Sequence, residues 1–223
     1  MSRDFDWAAF LFILGAVRWT VLLSLIAFAG GAIGGLLLAL MRTSRSRIMR
    51  AIAATYIGVM QGTPVLMQLF LAFYGLAVLT GVRIDPWPAV TLAFTLYAAA
   101  FLGEIWRGAI QAIPRTQWEA AAALPLPPLA QLRHVILPQA LRIAIPPTVG
   151  FMVQLIKGTS IASIIGFVEL TRAGQLIVNV TFQPMIVYPI VAVLYFALCW
   201  PLSVASLRLE RRMDAALGIA QRP

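Results

Sequence analysis

Three groups of polar residues interrupt an otherwise apolar sequence, and their side chains suit holding a polar solute better than making or breaking bonds. Gln61-Gly62-Thr63-Pro64, with Gln68 close behind, puts amides and a hydroxyl beside a proline. Lys157-Gly158-Thr159-Ser160 joins hydroxyls to a glycine and a cation, and Glu104 stands among Tyr97, Phe101 and Trp106. Polar groups at membrane depth are costly and usually face a cavity or a partner. Pro64 removes a backbone donor and clashes with the preceding turn, so carbonyls are freed beside Gln61, Thr63 and Gln68. Broken helices of this kind build midplane solute sites; the plainer alternative is a tolerated kink with Gln61 paired to another helix. Gln61, Thr63, Gln68, Glu104, Thr159 and Ser160 are therefore the candidate solute ligands. Glu104 suits an ammonium or another cationic group, and is equally placed to pair with Arg107 or Arg115. Lys157 has a competing role too, since a lysine at the end of a span can snorkel to the interface. A lipid-modifying enzyme is disfavoured: His134 is the only histidine, and no paired carboxylates or metal-ligand spacing occur at membrane depth. A G-x-x-x-x-G-K-S/T phosphate loop is also absent.

The elements that must position these groups are membrane spans. Of 223 residues, 61% are hydrophobic and 11% charged, with a mean hydropathy of +0.89, whereas soluble domains are about half apolar and a quarter charged. Spans need about 20 mostly apolar residues, and five windows qualify: Trp19–Met41, Ala53–Leu79, Pro88–Ile110, Gln139–Ile156 and Pro184–Leu207. They leave no room for an ATPase, kinase or binding domain. The expected fold is an all-α membrane protein with five transmembrane helices. Arg42, Arg45, Arg47 and Arg50 in the first loop place that loop in the cytoplasm, giving an outside N-terminus and an inside C-terminus. Twelve of the 17 cations then lie inside, and Arg3, Arg18, Arg83, Lys157 and Arg172 outside. The net charge of +9 is thus a topology signal, with no call for nucleic acid. Residues 1–18 read as a periplasmic or interfacial segment in which Trp7 to Val17 is too short to span, with no signal-peptide pattern. Residues 19–213 form the transmembrane domain, and 214–223 a cytoplasmic tail. Cys199 is the lone cysteine and forms no intrachain disulfide. Gly30, Gly31, Gly34 and Gly35 mark a close helix contact.

Between the third and fourth spans lies a cytoplasmic loop, 114–138. Thr116 and Glu119 have capping-box spacing, alanines follow, and Pro125, Pro127 and Pro128 stop the helix. The small side chains of Ala120, Ala121, Ala122 and Ala123 suit a helix lying in another protein's groove. On spacing alone, Glu119 either caps its own helix or meets a partner.

At this loop the chain resembles the membrane subunits of ATP-binding-cassette importers, whose hallmark is E-A-A, three residues, Gly, nine residues, a branched apolar residue, any residue, Leu-Pro. Here Glu119-Ala120-Ala121 is followed at that spacing by Val135-Ile136-Leu137-Pro138, with Pro125 in place of the glycine. Gln61-Gly62-Thr63-Pro64, Gly103-Glu104-Ile105-Trp106-Arg107-Gly108, Leu137-Pro138-Gln139-Ala140-Leu141-Arg142 and Lys157-Gly158-Thr159-Ser160 are similar to the polar amino acid uptake branch. The resemblance runs from about Gly15 to Met213. It implies a MetI-like type I importer permease core in a bacterial inner membrane, paired with a second permease chain, the same or related. Two cytoplasmic ATPase subunits would bind the ATP and magnesium, this chain holding no cofactor. A periplasmic or lipid-anchored binding protein would deliver solute. Glu119 to Leu124 (Glu119, Ala120, Ala121, Ala122, Ala123 and Leu124) would form the coupling helix that docks on the ATPase. The other readings are an importer of an opine or methionine-like compound, a membrane-embedded enzyme, and a scaffold without transport, which would not need a polar break near the midplane.

Overall fold

A computed structural model describes residues 4–82 and 85–216; Arg3, Arg83, Arg222 and the end of the tail lie outside the described residues. Helix α1, Trp7–Thr43, is capped by Asp6, which accepts from the Ala9 N–H at 2.8 Å. It runs unbroken through the interfacial segment and the first span. Its 37 residues rise about 55 Å, beyond a hydrocarbon core of about 30 Å. The N-terminal turns are packed, with Ile13 fully buried among Leu170, Val187 and Val191.

Helix α2, Arg47–Gly62, follows a Ser46 cap. The chain then breaks into α3, Val65–Phe70, a π-turn at Leu71–Gly75, and α4, Leu76–Thr80, ended by Gly81 at φ 67°, where glycine carries no Cβ penalty. The two arms, Arg47–Gly62 and Val65–Thr80, are bent by 102°. The window read as a second span is therefore an elbow. Helix α5, Pro86–Gln111, has Asp85 as its cap and proline in its first turn, where a missing N–H costs nothing. Two short helices, α6, Arg115–Ala123, and α7, Pro128–Gln131, lead through a π-turn at Leu132–Ile136 into α8, Leu137–Gly158. Helix α8 tightens into a 3-10 stretch, Thr159–Ile165. Helices α9, Leu170–Thr181, and α10, Pro184–Ala216, complete the chain, and no strand occurs among the described residues.

Four helical stretches are long and apolar enough to cross a membrane, and the bent pair brings the count to five. The all-helical architecture and the multi-pass character agree with the sequence reading. The core lies where α1, α5 and α8 meet, with Leu23, Phe94, Leu102 and Leu155 almost wholly buried. The α1 glycines set this contact. A Cβ on Gly31 would overlap the Ala98 side chain and come within 3.0 Å of its carbonyl carbon, and one on Gly35 would lie 2.9 Å from the Leu102 Cβ and 3.0 Å from the Gly103 nitrogen. Backbones this close tolerate only glycine, which is how small residues drive helix association in lipid.

Candidate functional site

The elbow between α2 and α3 is built from its own polar side chains. With proline at 64, the Met60 carbonyl loses the N–H that would normally bond it four residues on. The Gln68 Nε2 donates to that carbonyl at 2.8 Å, and also to the Thr63 Oγ1 at 2.9 Å and the Thr63 carbonyl at 3.2 Å. The Thr63 hydroxyl donates to the Val59 carbonyl at 2.8 Å. Two of the expected ligands, Thr63 and Gln68, thus hold the break open. The Gln68 Oε1 is buried and accepts no hydrogen bond among the described residues. Thr63 and Gln68 border a cavity of about 550 Å³ whose other walls, including Met60, Leu92 and Leu96, are apolar. Gln61 is exposed at the end of α2, and the Tyr56 hydroxyl ties this helix to α5 by donating to the Leu96 carbonyl at 2.9 Å.

Glu104 lies on α5 in an ion pair with Arg107 one turn on; the Arg107 Nε donates to its Oε2 at 2.8 Å, and Arg107 also reaches Gln111. Its side chain is 32% exposed and that of Arg107 20%. The partner is therefore Arg107, and Glu104 is half spoken for before any solute arrives. Two turns of aromatic packing join α5 to α8: Phe101 stacks on Phe151 with centroids 5.4 Å apart, and Tyr97 lies 4.5 Å from Phe101. The Trp106 Nε1 donates to the Thr148 hydroxyl at 3.0 Å. At the far end of α8, Thr159 is fully buried. Its hydroxyl donates to the Ile156 carbonyl at 2.7 Å, and that of Ser160 to the Lys157 carbonyl at 2.8 Å. Both hydroxyls serve the change from α-helix to 3-10 helix. The structure leaves Lys157 exposed.

Sequence reasoning placed Glu169 in an outer loop, yet it is fully buried. It caps α9, accepting from the Thr171 N–H at 2.9 Å and the Arg172 N–H at 2.8 Å, while the Tyr195 hydroxyl of α10 donates to it at 2.7 Å. The Thr171 and Tyr195 hydroxyls lie 3.0 Å apart, and Thr20 of α1 accepts from the Leu170 N–H at 3.1 Å. One carboxylate thus locks three helices. Burial holds its carboxyl above the usual carboxylate range, and the hydrogen bonds oppose that shift without cancelling it. The available signal was an acidic residue directly before the periodic segment 170–181, a helix-start pattern.

The loop between α5 and α8 departs from the expected capping box. Helix α6 begins one residue early, with Pro114 at the cap position and no side-chain cap, so Thr116 lies inside the helix and Glu119 caps nothing. Glu119, Ala120, Ala122, Ala123 and Leu124 are exposed, and Ala121 is buried. Pro125 centres a tight turn in which the Leu126 N–H donates to the Leu124 carbonyl at 2.7 Å. A three-residue turn of this kind suits a negative φ, so proline takes the place of glycine without a left-handed residue. Beneath α6, Ile113, Ile136 and Ala140 form a small core, and Gln139 reaches Gln117 at 3.2 Å. An exposed helix is held on a packed base continuous with α5 and α8.

Residues 31–215 match the family described as the inner membrane component of binding-protein-dependent transport systems. The chain belongs to this family. It is similar to the L-cystine transport system permease protein of Bacillus subtilis (strain 168), 38% identical over 90% of this chain and 86% of that protein. It is likewise similar to the glutamine transport system permease protein of Escherichia coli (strain K12), 37% identical over 94% of this chain and 98% of that one. A chain in a crystal structure of an amino acid ABC transporter with histidines superposes with a TM-score of 0.85 at 31% identity, covering 94% of this chain and all of the other. As a member of this transport family, the chain has a multi-pass helical body for the membrane and an exposed loop helix outside it, the two parts that the importer resemblance requires.

Proposed function

We propose that the chain is the transmembrane subunit of an ATP-driven importer for polar amino acids in a bacterial inner membrane. The observation that carries the coupling role is α6, exposed along Glu119 to Leu124 and mounted on the packed base that joins α5 to α8. A force applied to α6 is delivered to two membrane helices at once. Its docking partner is a cytoplasmic ATPase subunit, one of two in the complex; these bind the ATP and magnesium. Glu119 is free to meet a basic residue there. The amino acid assignment is supported by the cystine and glutamine permeases and by the amino acid transporter structure. A second permease chain completes the pathway, a periplasmic or lipid-anchored protein delivers solute, and the arginine-rich loop after α1 and the coupling loop face the cytoplasm.

Solute passes along the face formed by α2, α5 and α8. At the elbow, the unpartnered Gln68 Oε1 and the exposed Gln61 amide are the groups free to contact it, and Thr63 and Glu104 tune the path from their bonded positions. Thr159 and Ser160 shape the end of α8. The decisive experiment purifies the chain with candidate ATPase subunits and measures ATP hydrolysis against a panel of liganded binding proteins. Stimulation by one polar amino acid receptor and not by others supports the proposal and names the solute. Failure to co-purify with any ATPase overturns it.

A further inference from the structure

We infer that Gln154 and Lys157 of α8, which the sequence motif alone does not single out, form the wall of the translocation path that recognises the solute's carboxylate; this rests on the importer reading above. Helix α8 has two exposed faces of opposite character. On one, Leu141 and Ile145 are 60% and 44% exposed, and Leu141 lines an apolar groove shared with Leu36 and Ala39 of α1 and Ala109 of α5. That face fits lipid. On the other, Pro147, Gly150, Gln154 and Lys157 are exposed and recur at spacings of three, four and three, which puts them in one line along the helix.

The position of that line follows from the packing. Phe151 and Thr148 fix the side of α8 that meets α5, and the Ser206 hydroxyl donates to the Pro146 carbonyl at 2.8 Å, fixing the side that meets α10. Helix α1 closes on the α5–α8 pair from the groove side, so Gln154 and Lys157 lie on the opposite side, together with the partly exposed Tyr97, Phe101 and Glu104 of α5. A polar amide and an ammonium on a membrane helix belong against water or a solute, not against acyl chains. The one ion pair among the described residues joins Glu104 to Arg107, which leaves Lys157 as an uncommitted cation. The two neighbouring hydroxyls are spent on their own backbone. A primary ammonium next to a carboxamide is a fitting pair for a carboxylate, with Nζ supplying charge and Nε2 a second donor.

The test uses the full chain assembled with its ATPase and binding protein in proteoliposomes, in a Cys199→Ala background that removes the lone cysteine. Gln154→Cys and, as a lipid-face control, Ile145→Cys are treated with an anionic sulfonate thiol reagent and with a cationic trimethylammonium one. Gln154→Cys is expected to react and Ile145→Cys to stay inert. Adding Lys157→Gln should slow the sulfonate reagent at position 154 about threefold, the factor for a unit charge about 6 Å away in water, and speed the cationic one. In the Cys199→Ala parent, Lys157→Gln should lower uptake of the solute at least tenfold while ATP hydrolysis stimulated by the binding protein persists, and Lys157→Arg should restore uptake. An inert Gln154→Cys, reagent rates indifferent to Lys157, or undiminished uptake in Lys157→Gln each overturns the inference. Absence of amino acid uptake by the parent complex counts against the importer reading instead, and the labelling pattern still decides whether this face is the wetted one.

Discussion

Replacing Gln68 with leucine removes three donations, to the Met60 carbonyl, the Thr63 hydroxyl and the Thr63 carbonyl, and leaves the volume almost unchanged. The Met60 carbonyl then has no donor, because residue 64 is proline. A buried acceptor left unsatisfied costs about 1–3 kcal/mol, and side-chain hydrogen bonds in membrane proteins average about 0.6 kcal/mol each. The two scales together put Gln68→Leu at about 2 kcal/mol of destabilisation. Pro64→Ala changes the outcome, since an alanine N–H at 64 can satisfy Met60 by continuing α2. The double variant should recover about half of the loss, roughly 1 kcal/mol, while straightening the elbow. Stability is read from reversible unfolding in mixed micelles, and the bend from a spin-label distance between Ile52 and Val78, both exposed. That distance should lengthen as the 102° bend opens. Gln68→Leu with unaltered stability, or a double variant no better than the single, would refute the argument that the amide replaces the donor proline removes.

The buried Glu169 predicts an inverted pH response. Its folded carboxyl is held above the unfolded value, so the folded state binds more protons and stability falls as pH rises between the two values; thermal unfolding of the wild type should improve on going from pH 7 to pH 5. Glu169→Gln should abolish that slope at little cost near neutrality, whereas Glu169→Ala should lose about 1–3 kcal/mol by orphaning the Thr171 and Arg172 N–H groups and the Tyr195 hydroxyl. Gly31→Leu should separate α1 from α5 and cost about 1–3 kcal/mol or more, visible as loss of folded yield in detergent. Glu119→Lys should leave the fold intact, because α6 uses no side-chain cap, yet lower ATPase co-purification several-fold. For the ion pair on α5, the Glu104→Gln and Arg107→Gln double variant should unfold more like the wild type than the sum of the singles predicts, because each single variant strands one polar partner at membrane depth.

The membrane class, the approximate spans, the glycine contact on α1 and the loop helix were all legible in the residues. Each depends on composition or on spacing within a single helix, and such patterns survive without knowledge of neighbours. The ligand set was harder to read. Thr159, Ser160, Thr63 and Gln68 are polar at the right depth, and the sequence cannot show that their donors are consumed by carbonyls a few residues away. Capping-box spacing at Thr116 and Glu119 likewise suggested a cap that the helix does not use, because proline at 114 already starts it.

What the sequence determined by itself is the apolar skeleton with its breaks: proline at 64, glycines at 31 and 35, and prolines at 125, 127 and 128, where backbone chemistry acts locally. Only the tertiary structure decided which polar groups remain free. Burial of Glu169 under α1 and α10, the pairing of Glu104 with Arg107 and the clean division of α8 into a lipid face and a polar face all arise from helices distant in sequence being brought together. A side chain's burial and its partners are properties of that packing, and periodicity along one helix does not contain them.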